Sequence, residues 1–177
     1  MCDHCGCRDF APIAELTADH EEILQRAWAL AEATRAGRVP PAHDVAHLLA
    51  LLDVHADKEE TGLYPWLIEV GGLSQMVDDE LEQEHRDLHE TLAGGRFDRH
   101  DYYALASHIE VEELELFSSA MLRFDEPEWE AVAAAHHAAD HRHGVAHRHE
   151  ALDHHAAAHG HAGPSASAAG AGASALR

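Results

Sequence analysis

Apolar residues recur along this chain at three- and four-residue steps in four long runs, the pattern of helices that each bury one face. In the first run Ile13, Leu16, His20, Ile23, Ala27 and Leu30 share a face. The second, from about Ala42 to Val70, carries Val45, Leu48, Leu52, His55, Glu59, Leu63 and Trp66. Pro65 lies inside it and predicts a kink or an early end there. The third stripe is Val77, Leu81, His85, Leu88 and Leu92, and the fourth is Leu105, Ile109, Glu112, Leu116 and Ala120.

Gly37 with Pro40-Pro41, then Gly71-Gly72, then Gly94-Gly95 separate the runs. Ser74 and Asp98 offer N-caps for the third and fourth helices. Four long helices joined by short breaks predict an all-α fold, an up-down-up-down four-helix bundle. Asp125-Glu126-Pro127 begins a short fifth helix, expected to end near His137 and to dock through Trp129 and Val132. Three regions follow: a Cys-rich head over 1–9, the bundle over 10–138, and a His-, Ala- and Gly-rich tail over 139–177. The tail has too little apolar bulk to pack, so disorder is expected there.

Composition narrows the possible partners. The 177 residues carry a formal net charge of −21, so a phosphate backbone or an anionic membrane surface would be repelled. No run approaches the roughly 20 apolar residues of a membrane span. The N-terminus lacks the basic-then-apolar pattern of a secretory signal, and a cytoplasmic location is expected. Cys2, Cys5 and Cys7 form one short cluster with His4, unlike a secreted disulfide framework. That cluster suits zinc or iron, or a redox-sensitive thiol group. The histidine tract of the tail suits loose binding of nickel, copper or zinc.

Polar residues on the buried stripes carry the chemistry. His20, His55, Glu59, His85 and Glu112 occupy core positions in four separate helices. A buried carboxylate is costly unless it is paired or binds a metal. His55 and Glu59, His85 and His89, and His108 and Glu112 are each four residues apart, so each pair shares a helix face. The sequence also echoes itself. HADKEETGLY from His55 and HIEVEELELF from His108 both read H-x-x-x-E-E, two residues, Leu, aromatic; DHEEIL from Asp19 and EHRDLH from Glu84 echo more loosely. The expected ligands are His20, His55, His85, His89, His108, Glu59 and Glu112. Seven are too many for one ion and fit two bridged by carboxylates; imidazole and carboxylate suit iron, then manganese or zinc. Tyr64 and Trp66 are expected to be packing residues, and His43 and His47 to lie on the surface.

The segments LTADHEEIL, HADKEETGLYPWL, EHRDLHETL and HIEVEELELF resemble the haemerythrin family and its cation-binding HHE domain, over roughly Ile13 to Phe124 and the following WEAV helix. The head MCDHCGC resembles the start of some actinobacterial members. The resemblance implies a non-haem di-iron centre with oxygen-dependent chemistry. One iron would take His85, His89 and His108, the other His20 and His55, with Glu59 as the first bridging carboxylate and an open position for dioxygen or peroxide. Oxygen-carrying members have Asp five residues after the last histidine, where this chain has Glu113. Position 112 is turned about 40° from His108 on an ideal helix and position 113 about 140°. Glu112 is therefore the expected bridge and Glu113 its substitute.

Three functions are compatible with such a site. The first is binding or sensing of dioxygen, peroxide or nitric oxide, acting through a redox or signalling partner protein. The second is an enzyme that removes peroxide or nitric oxide. The third is metal storage or buffering that uses the head and tail.

Overall fold

The structure, a computed structural model, describes residues 10–145; the cysteine head and the chain beyond Val145 lie outside the described residues. Among the described residues the fold is all-helical. The first rod is α1 (Ala11–Arg35). The second joins α2 (Ala42–Lys58), a π-helical turn π1 (Glu59–Leu63) and α3 (Tyr64–Glu69). The third is α4 (Gln75–Ala93). The fourth joins α5 (Arg99–Val111), a second π-helical turn π2 (Glu112–Leu116) and α6 (Phe117–Arg123). The fifth is α7 (Glu126–His143).

The punctuation read from the sequence is in place. The Ser74 hydroxyl accepts from the Val77 N–H, and the Asp98 carboxylate accepts from the His100 and Asp101 N–H groups. Each cap satisfies donors that the first helical turn leaves open. Pro65 does not end the second rod. The turn before it is widened to bonds spanning five residues, with the Tyr64 N–H donating to the Glu59 carbonyl. A wider turn relieves the crowding and the missing donor that proline imposes. The fourth rod widens at the matching place with no proline, so the two π turns follow the H-x-x-x-E-E echo and not Pro65 alone.

Two apolar clusters fill the interior. One contains Ile13, Leu16, Leu63, Tyr64, Leu67, Leu81, Leu116 and Phe117. The other contains Ile23, Ala27, Leu30, Leu48, Leu52, Leu92, Leu105 and Ile109. Along each of the first three rods the expected site residues fall between the two, and on the fourth Glu112 does, while His108 sits within the second cluster beside Ile109. The first and third rods pass from the first cluster to the second, and the second and fourth rods pass from the second to the first.

The fifth rod is longer than its apolar pattern predicts, and polar anchors are the reason. Lys58, 3% exposed, gathers three carboxylates: Glu15 Oε1 at 2.6 Å, Asp19 Oδ2 at 3.1 Å and Asp140 Oδ1 at 3.2 Å. His136 Nδ1 donates to Glu15 Oε2 at 3.1 Å, and Arg142 pairs with Asp57 at 2.6 Å. His136 and Asp140 thus hold down helix that the composition alone assigns to the tail. Gly62 lets the rod come close, because a Cβ there would lie 3.1 Å from the Ala135 Cβ.

Burial pushes the Glu15 carboxyl up, but hydrogen bonds from His136 and Lys58 outweigh it and hold it at about 2. A folded-state value below the unfolded one stabilises the fold above the unfolded value and loses that contribution as the pH falls toward the folded one. Wild-type chain should therefore lose stability between pH 4.5 and about 2 more steeply than E15Q does. Urea midpoints across that window check this; parallel curves for the two proteins would count against it.

Candidate metal centre

Each π turn begins on a glutamate, and each glutamate points into the interior. Glu59 and Glu112 are fully buried, His20 and His55 nearly so. His20 Nε2 lies 3.0 Å from His55 Nε2, 3.2 Å from Glu112 Oε2 and 3.9 Å from Glu59 Oε1. His55 Nε2 is 3.3 Å from Glu59 Oε2. On the other side His85 Nε2 and His108 Nε2 are 3.0 Å apart, and His108 Nε2 is 2.9 Å from Glu112 Oε1. His85 Nε2 also lies 3.6 Å from Glu59 Oε2 and 3.8 Å from Glu112 Oε1.

The donor atoms therefore form two groups that can each hold a metal ion: His20, His55, Glu59 and Glu112, and His85, His108 and Glu112. Within each group the donor atoms lie within 4.8 Å of one another. Glu112 belongs to both, with Oε2 toward His20 and Oε1 toward His108. Glu59 Oε1 and Glu112 Oε2 are buried without a hydrogen-bond partner. His20 Nε2 approaches both without completing a hydrogen bond; carboxylate oxygens so poorly paired in a dry interior are costly, and a cation relieves both at once.

Charge in the site fits this chemistry. Burial works against a charged His20, but Glu112 and Glu113 outweigh it and raise the imidazole to about 10. His85 likewise rises to about 10 against burial, through Glu112 and Glu60. Glu112 stays well below the usual carboxylate range although burial opposes it, because His108, His20 and His85 surround it. The two glutamates thus draw positive charge into the interior, whether carried by protons or by metal ions.

No protein-family model matches this chain, and no curated protein or solved structure is significantly similar to it. Six of the seven expected ligands come together. His89 stands apart: it is 46% exposed, and its Nε2 lies 3.4 Å from Asp53 Oδ1. An additional oxygen at the two carboxylates comes from Tyr64. This residue is fully buried, and its hydroxyl donates to Glu112 Oε1 at 2.6 Å and lies 3.2 Å from Glu59 Oε2. The expectation that Tyr64 merely packs is thus corrected. Burial and the two flanking carboxylates push the phenol well above its usual range, so it keeps its proton.

Trp66 is partly buried against the first apolar cluster, as a packing residue would be, and His43 and His47 are exposed. Glu113 does not enter either donor group. It lies behind His20, with Oε1 3.2 Å from Nδ1. The echo between the second and fourth rods extends to their rings: Tyr64 lies parallel to His85 and Phe117 parallel to His20. Sequence reading did not single out Glu15, Asp19, Lys58 or Asp140. The only available signal was adjacency, since Asp19 precedes His20 and Lys58 precedes Glu59.

Proposed function

We propose that this chain is a haemerythrin-like protein that holds two non-haem iron ions, bridged by Glu112 and Glu59, and binds or senses dioxygen or a related small oxidant. The observation that carries the reading is the Glu112 carboxylate, buried at the midpoint with one oxygen in each donor group. His20 and His55 would hold one ion, and His85 and His108 the other. The alternating order of the apolar clusters along successive rods supports the up-down-up-down four-helix bundle of that family, with α7 packed alongside. An iron pair would supply reversible electron transfer to a bound oxidant. The chain itself contributes fixed imidazoles, a water-poor interior and the Tyr64 hydroxyl, which can hydrogen-bond a small molecule beside Glu112. Among the described residues no helix is long and apolar enough to cross a membrane.

Purified protein should contain about two irons per chain and show near-ultraviolet absorption from a bridged pair, changing reversibly with oxygen exposure. One metal or none at the buried site would refute the reading.

Tyr64 favours a second reading, turnover of peroxide or nitric oxide. A hydroxyl that keeps its proton between two carboxylates is placed to hydrogen-bond a bound oxidant and hold it while it reacts. Stopped-flow mixing with peroxide separates the two: many turnovers that Y64F slows indicate an enzyme, and a single spectral change indicates a binding protein.

A further inference from the structure

The four imidazoles of the centre share one feature beyond their inward nitrogens: each turns its Nδ1 toward an acid on another rod. His85 Nδ1 donates to Glu60 Oε1 at 2.9 Å. His108 Nδ1 donates to Glu84 Oε2 at 2.6 Å. His20 Nδ1 donates to Glu113 Oε1 at 3.2 Å. His55 Nδ1 faces Asp19 Oδ2 at 4.0 Å, a looser approach in which Lys58 also draws on that oxygen.

The chain positions of these acids follow a rule. Asp19 precedes His20, Glu60 follows Glu59, Glu84 precedes His85 and Glu113 follows Glu112. Every acid is thus the immediate neighbour of a site residue on its own rod, yet faces the histidine of the next rod. The first rod serves the second, the second serves the third, the third serves the fourth, and the fourth returns to the first. The circuit closes.

We propose that Glu60, Glu84 and Glu113 are positioning residues that lock His85, His108 and His20 with Nδ1 protonated and the Nε2 lone pair directed at the metal ions. Imidazole offers two nitrogens, and a carboxylate fixed against one settles which of them carries the proton and how the ring is rotated. Adjacency gives the device its reach. A helix that delivers a ligand inward delivers the neighbouring acid about 100° around its surface, onto the flank of the rod beside it. The inference rests on the metal-binding reading above, and it separates the roles of Glu112 and Glu113: the first faces the ions, the second holds a ligand.

The test uses the full chain. Anaerobic titration with iron(II) against a chromophoric chelator gives affinity, and nitrogen-15 spectra of the zinc(II)-loaded protein report the Nδ1–H groups. Replacing an outer ligand partner typically weakens metal binding 10- to 100-fold. E113A should lie toward the upper end, because Glu113 is 17% exposed, and E84A toward the lower, because Glu84 is 60% exposed. Each alanine variant should lose the slowly exchanging Nδ1–H signal of its own histidine. The matching glutamine, whose amide oxygen still accepts that proton, should restore the signal and part of the affinity. Alanine variants with wild-type affinity and intact signals would overturn the proposal while leaving the metal centre standing. A wild-type chain that binds no metal through these histidines would overturn both.

Discussion

An E112Q chain should bind iron(II) at least about 100-fold more weakly than the wild type while keeping its helical content. Among the described residues Glu112 alone has an oxygen in each donor group, so its loss touches both halves of the centre. A glutamine keeps the volume but offers one acceptor and a donating nitrogen that cannot bind a cation. The neighbouring E113Q should cost far less, since Glu113 reaches His20 from behind and its amide can still accept from Nδ1. Competition titration of the two variants, with circular dichroism to confirm folding, decides the matter. If E113Q proves the more damaging, the bridge has been assigned to the wrong residue.

The largest effect on stability should come from Lys58. Its ammonium is the shared counter-charge of Glu15, Asp19 and Asp140; burial works against that charge, but these acids outweigh it and push the group above its usual range. K58M keeps most of the apolar stem and removes the charge, leaving three carboxylates crowded in a poorly hydrated seam. Breaking a buried ion pair on one side costs about 3–5 kcal/mol. Urea unfolding of metal-free K58M should show that loss, and the part near α7 should unfold first, because Asp140 and His136 on that rod meet the same network. A midpoint equal to wild type would show that the charge is not needed there.

Much of this was legible in the sequence because helical periodicity and polar interruptions coincide. His20, His55, Glu59, His85 and Glu112 each interrupt an apolar stripe, and each is buried or nearly so. Tyr64 was not legible, for a geometric reason. On an α-helix a residue five positions beyond Glu59 is turned about 140° from it. The π turn closes over five residues and brings position 64 back to the inner face. Nothing in the propensity of Glu-Glu-Thr-Gly-Leu announces that extra residue. His89 misled in the opposite way: its four-residue spacing from His85 is right for a shared face, but spacing does not say how far along α4 the site extends. The length of α7 was hidden because its inner face is polar, so Asp140 read as tail composition instead of an anchor.

At its aromatic position the sequence echo differs between the two rods by a single oxygen atom. Where the second rod places Tyr64, the fourth places Phe117. The surroundings of the two ligand groups are therefore lopsided, with a hydroxyl-bearing ring parallel to His85 and a bare phenyl ring parallel to His20. On the proposed reading, a diatomic guest meets a proton donor at one end only. Its orientation would be chosen by the protein before any electron moves, and exchanging the two rings, Y64F with F117Y, should turn the guest end for end.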